Sequence, residues 1–257
     1  MSFWSDLGKV VLAVAPVAIG IATGGGSLLA TMAYTAAAGY VLSKVVKSTS
    51  SSNTTPTDSL IQIPPAQDNR VPVIYGQGFI GGVITEAVMT SDSKTMTYVF
   101  TLSEITGTKI SDSLPSVYTF NRVFISNKQV QFQSDGVTVA AIADTLGNLD
   151  TSLNGLVRIW CYAGGSGSQY QLPVGTNTIT TVNAYDTVTN WTGAMNMSNL
   201  VFAVVQVQFD SSKGATGLPS MLFDITNSMT LPGDCIADYL TNTMYGAGVP
   251  LTDIYIS

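Results

Sequence analysis

Between Val10 and Ser43 the chain carries no charged side chain. The run is longer than the roughly 20 apolar residues that cross a bilayer. A segment of this kind gains little from water and must be covered by something. Pro16 and the triplet Gly24, Gly25 and Gly26 interrupt it. Proline lacks an amide hydrogen and glycine adopts backbone angles that other residues avoid, so both residue types break helices. Residues 1–47 therefore read as an apolar helical hairpin turning at Gly24–Gly26. Ala13, Ala15, Ala18, Gly20 and Ala22 on one arm and Ala33, Ala36, Ala37 and Gly39 on the other let helix backbones approach closely. Two coverings fit this pattern: other protein, or transient contact of residues 10–46 with a membrane. A secretory signal fits poorly, because Lys9 and Asp6 cancel before the run and the apolar stretch overshoots the usual length.

Residues 48–65, STSSSNTTPTDSLIQIPP, form a flexible linker rich in Ser, Thr and Pro that has nothing with which to build a core. From residue 66 to 257 the pattern changes to short apolar runs separated by turn residues, the signature of a β-rich body. Val71–Tyr75, Phe79–Met89, Thr95–Leu102, Arg122–Ser126, Gln129–Gln133, Leu156–Ala163, Thr178–Val182, Leu200–Phe209 and Met221–Ile225 read as strands. Ser91-Asp92-Ser93-Lys94 and Asn127-Lys128 read as hairpin turns. In Leu200–Phe209 the two residue sets alternate, which predicts a strand buried on one face. One amphipathic helix is expected near the end, capped by Asp234. Ile236, Tyr239, Leu240 and Met244 would form the stripe that docks on the body, Gly246 the left-handed stop, and Pro250 the block to continuation. The fold class is thus mainly β (α+β): a hairpin, a linker, and a β-rich body with one short C-terminal helix.

Charge and residue types narrow the function. Charged residues make up 10% of the chain, against roughly 25% in ordinary domains. Lys9, Lys44 and Lys47 against Asp6 give residues 1–47 a charge of +2, which leaves −8 on the remainder of a chain whose net charge is −6. Such a body has no basic footprint for phosphates, so nucleic-acid recognition is not expected. Histidine is absent, which removes histidine-based triads, the usual zinc sites and the common proton shuttle. The two glutamates, Glu86 and Glu104, and the nearby Asp92 and Asp112 show no spacing that brings a catalytic carboxylate pair together. The glycine clusters Gly76–Gly82 and Gly164–Gly167 do not open a helix as a phosphate loop must, and read as turns or bulges. Trp160, Tyr162, Tyr170, Tyr185 and Trp191 suit a core or subunit contact better than a sugar platform. Cys161 and Cys235 match no metal or redox spacing; separate buried thiols are expected, with a disulfide as the alternative. No enzyme activity, cofactor or metal is expected.

Asn199–Pro250 contains NLVFAVVQVQFD, then GLPSMLFDITNSM, then LPGDCIADYLTNTMYGAGVP. This order resembles the tip attachment and baseplate hub proteins of tailed bacteriophages, the host-specificity protein J family. The upstream RVPVIYGQGFIGGVITEA is similar to the start of that family's hub region. The resemblance implies a structural virion protein at the distal end of the tail, forming a symmetric homo-oligomeric ring of three or six copies that takes part in tail assembly and host entry. It implies neighbours among the tail tube or distal tail protein, the tape measure, and a fibre or receptor-binding protein. Asp238, Tyr239, Leu240, Asn242, Tyr245, Gly246 and Gly248 fall on the family's helix-and-stop motif, where their role is architectural. Family members usually continue into receptor-binding modules, so receptor recognition is expected on another chain. In such a ring the copies of the hairpin would gather on the axis and plug the channel. A second reading is a membrane-active, pore-forming protein with the hairpin as effector; a third is a wall-degrading enzyme carried on a tail.

Overall fold

The computed structural model describes residues 70–91, 93–163, 171–177, 179 and 181–254. The hairpin with its turn at Gly24, Gly25 and Gly26, the linker, Asp92, Gly164–Gly167 and Tyr170 lie outside these residues.

The body is mainly β, and its paired strands run antiparallel. They are β1 (Gln77–Ile80), β2 (Val83–Met89), β3 (Thr95–Glu104), β4 (Tyr118–Ile125), β5 (Lys128–Phe132), β6 (Val139–Ala143), β7 (Leu149–Asp150), β8 (Val157–Tyr162), β9 (Gln171–Leu172), β10 (Leu200–Gln208) and β11 (Met221–Asn227). Among the described residues one α-helix, α1 (Pro232–Thr241), follows β11. The first sheet has the order β1-β11-β4-β5-β6-β7 and the second β2-β3-β10-β8-β9. The sheets face each other across one core. Phe120, Phe223 and Ile225 from the first meet Phe100, Leu102, Ile159 and Val205 from the second. The Phe100 and Phe223 rings lie 5.9 Å apart, and Phe120 meets Phe223 edge-on at 6.3 Å, the tilted geometries that aromatic quadrupoles favour.

The sheets also join at both margins. At one, β1 passes through Gly81 and Gly82 into β2, so the Phe79–Met89 run expected as one strand is bent and serves both sheets. Gly82 has φ +71°, and a Cβ there would lie 2.6 Å from Leu102 Cδ2 and 3.0 Å from Thr101 O, so only glycine turns this corner. At the other margin, Ile159 N donates to Val137 O and Gly155 N to Val139 O, at 2.9 and 3.0 Å. The two sheets are thus tied together along both sides.

Several expectations need correction. β10 is buried on both faces rather than one. Val201, Ala203, Val205 and Val207 enter the inter-sheet core, while Phe202 and Val204 enter a second core with Val99, Trp160, Tyr162, Ala184 and Val188. The segment that covers this outer face is irregular; Tyr162 stacks on Phe202 at 4.9 Å and donates its hydroxyl to Val182 O, and Trp191 Nε1 donates to Glu86. Because that segment is occupied as a cover, no strand forms at the described residues of Thr178–Val182. Val71–Tyr75 makes a single parallel bridge, Val73 to Glu104, instead of a strand. The β4–β5 turn is centred on Ser126 and Asn127, with φ of 51° and 64°, one residue earlier than expected. Both cysteines are free; Cys161 is buried, but Cys235 is only half-buried.

Candidate functional site

The residues singled out in the C-terminal motif come together around α1. Pro232 opens the helix, where its missing amide hydrogen leaves nothing unpaired. Leu231 is the N-cap, without a side-chain bond, so Asp234 is not the cap. Its carboxylate turns instead to the body, accepting from Ser111 N at 2.9 Å and Ser111 Oγ at 2.7 Å. One turn later Asp238, also buried, accepts from Gly107 N at 2.7 Å, Tyr75 OH at 2.7 Å and Tyr245 OH at 2.6 Å. Residues four apart lie on one helix face. The helix therefore docks through two carboxylates and the small Ala237 between them.

This inverts the expected orientation. Ile236 and Tyr239, together with Met244 beyond the helix, are exposed, and Leu240 is half-buried. The apolar stripe faces outward because the surface beneath α1 offers hydroxyl and amide donors, and a carboxylate left without them inside would be costly.

The chain then folds back on the helix. Asn242 ends it in extended geometry, and Asn242 Oδ1 accepts from Met244 N and Tyr245 N at 2.8 and 3.2 Å. Ala247 N donates to Tyr239 O at 2.9 Å, Val249 N to Leu240 O at 2.7 Å and Gly248 N to Asn242 O at 3.0 Å. These bonds satisfy last-turn carbonyls that a helix leaves open. Gly246 is not the left-handed stop; that conformation belongs to Gly248, φ +64°. Gly246 is needed for space, since a Cβ there would fall 1.9 Å from Tyr239 O and 2.8 Å from Asn242 O. Asp238, Tyr239, Leu240, Asn242, Tyr245, Gly246 and Gly248 thus form one clasp. Tyr239 and Leu240 serve it through their carbonyls.

The surroundings are polar and fully engaged. Asn227 Nδ2 donates to Ile74 O at 2.7 Å and Thr106 Oγ1 at 2.8 Å, and Tyr118 OH accepts from Thr106 N at 3.0 Å. Burial, and then the charged carboxylate of Asp238, push the phenols of Tyr75 and Tyr245 above their ordinary range. Burial also raises Tyr118. Tyr75, Gly107, Ser111 and Asn227 were not singled out from the sequence. The spacing of Asp234 and Asp238 was the available signal, because two acids four apart on an otherwise apolar helix need inward partners.

The other carboxylates do not converge. Glu86 anchors the cover of the second sheet. Glu104 ends β3, its carboxyl raised by burial. Asp112 accepts from Lys109 Nζ and Leu114 N in an exposed turn. On the outside of the first sheet, buried Asp224 pairs with Arg122 at 2.7 Å and accepts from Gln77 and Asn121. Burial alone would raise its carboxyl, but the bonds from Gln77, Asn121 and Arg122 hold it below the usual range. Among the described residues no group of three or more His, Cys, Asp or Glu side chains could hold a metal ion. No described helix is long and apolar enough to cross a membrane.

No protein-family model matches the chain, and no curated protein matches it. Among solved structures it is similar to a chain of the "Virion of native gene transfer agent (GTA) particle", at 14% identity and a TM-score of 0.36. The match covers 78% of this chain and 39% of that one.

Proposed function

We propose that this protein is a structural subunit of a virion tail tip or baseplate hub, built into a symmetric ring at the distal end of the tail tube, with no catalytic role. One observation carries the reading. In the motif that resembles the hub family, from Asp238 to Gly248, Asp238, Asn242, Tyr245 and Gly246 hold α1 in place, which supports an architectural role, and the held helix turns Ile236, Tyr239 and Met244 outward. A subunit whose surface has few charges must find its neighbours through packed apolar contacts, and a rigidly clasped apolar ridge suits that purpose. Tail tube, tape measure and receptor-binding proteins are the expected neighbours.

Gold-labelled antibody against this chain, imaged on intact particles, tests the placement. Label at the distal tip is expected; label on the capsid or along the shaft overturns the reading. The membrane-active alternative draws on the uncharged run from Val10 to Ser43. Under that alternative the full chain by itself would release dye from lipid vesicles.

A further inference from the structure

We propose that the outward ridge of α1 is one half of a head-to-tail contact, and that its occupant is a second copy of this chain, received in an apolar notch at the opposite pole of the body. The inference rests on the ring-subunit reading and names the surfaces that would close the ring.

The ridge is large enough to matter. Leu231, Ile236, Tyr239 and Met244, with Ile110 and Leu114 in the turn that Ser111 ties to Asp234, are all exposed, Met244 most of all at 77%. At about 150–200 Å² for a large apolar side chain and somewhat over half exposed on average, the six present on the order of 600 Å². That lies at the upper end of the largest apolar patch on an ordinary monomer, about 300–600 Å² and often functional. With a polar rim it approaches the roughly 800 Å² per partner of a standard stable interface. The hydrogen bonds to Asp234 and Asp238 hold the helix in this orientation, so the exposure belongs to the folded body.

The receiving surface lies at the far end of β3. This strand runs from Thr95 to Glu104, ten residues or roughly 30 Å at about 3.3 Å each. Just past its Glu104 end, Gly107 meets Asp238 under the ridge. At its Thr95 end there is an open cavity of about 200 Å³ whose lining is mostly apolar (Met89, Met96, Tyr98, Val207 and Phe209) but includes Ser93 and Lys94. Phe209 on its lip is 58% exposed. An enclosed apolar cavity of about 150 Å³ holds a benzene, so by volume this notch has room for one large apolar side chain of the kind that Met244 or Tyr239 presents. Methionine linings adapt to the shape of what enters. A protrusion at one pole and a matching notch at the other define a heterologous contact, which closes a ring when the rotation between copies permits.

The test uses the full chain and two exposed positions, where substitution leaves the fold intact: Met244→Asp on the ridge and Phe209→Asp on the notch. Mass is read by sedimentation, and circular dichroism verifies folding. Wild type is expected as a multi-copy assembly, and each variant alone as a single copy of 27.0 kDa. An equimolar mixture of the two variants is expected to give a species of twice that mass and nothing larger, since one supplies an intact ridge and the other an intact notch. Three results overturn the proposal: wild type that stays a single copy, a Phe209→Asp variant that assembles like wild type while Met244→Asp does not, which would indicate ridge-to-ridge pairing, or variants that fail to complement on mixing. Because the assay is independent of where the protein sits in a particle, complementation together with label away from the tip would retain the contact and discard the tail placement.

Discussion

Replacing Asp238 by alanine should dismantle the clasp. The carboxylate accepts three hydrogen bonds, from Gly107 N, Tyr75 OH and Tyr245 OH, each at 2.6 to 2.7 Å. Bonds to a charged acceptor contribute about 1.5–3 kcal/mol each, but the two hydroxyls can turn toward one another or toward water once the carboxylate has gone. The amide of Gly107 is fixed, and the loss should come to about 3–5 kcal/mol. For a body of this size each kcal/mol corresponds to about 2–4 °C, so the melting temperature should fall by roughly 10 °C. Asp238→Asn keeps one acceptor, for Gly107 N, and should cost about half as much. Urea unfolding followed by tyrosine fluorescence gives the free energies, and hydrogen exchange localises the effect. Opening should concentrate at α1 and residues 242–249, leaving β3 and β10 protected. A loss below about 1 kcal/mol, or a loss spread evenly over both sheets, would refute the view that this carboxylate fixes the helix.

Other consequences are open to measurement. Gly246→Ala puts a Cβ against two backbone carbonyls, so calorimetry should register about 3 kcal/mol of destabilisation; an unchanged melting temperature would contradict the tight return over α1. The Tyr75 and Tyr245 phenols are raised in the folded state, so their contribution is complete below the free-tyrosine value of about 10 and is lost as pH climbs beyond it. Unfolding free energies from pH 8 to 12 should therefore fall on the alkaline side, and less steeply in Tyr245→Phe. Arg122→Ala leaves the buried carboxylate of Asp224 with Gln77 and Asn121 but no cation. With the guanidinium partly in solvent, a loss of about 2 kcal/mol in denaturant unfolding is expected. The depressed carboxyl of Asp224 contributes stability above about pH 4 that disappears as pH falls, and removing Arg122 should move acid unfolding to higher pH.

Much of the body could be read from local pattern. Apolar runs bounded by turn residues located β3 and β8, period-two alternation located β10, and the polar turn between β2 and β3 was recognisable from composition. What eluded the sequence depends on distant partners. The two-sided burial of β10 requires knowing that residues 182–197 wrap the outer face, and irregular chain has no periodicity. β6 is a short, alanine-rich strand, VAAIA, in which three alanines dilute the β signal of Val139 and Ile142. The helix at the C-terminal end was expected at the right place with the wrong face inward, because the usual rule assumes that apolar side chains meet the core of their own chain. Two acids four residues apart, Asp234 and Asp238, contradict that rule here. Glycine roles were similarly ambiguous: Gly246 and Gly248 share the motif, yet one supplies space and the other a left-handed turn.

Electron microscopy of the purified full-length protein, with a count of subunits in each particle, bears most directly on whether this fold is a segment of a larger closed assembly. Closed rings of three or six copies, with α1 at the seam between adjacent subunits, are the predicted outcome. A field of separate single subunits at micromolar concentration, or closed particles with α1 facing solvent away from every seam, would contradict it.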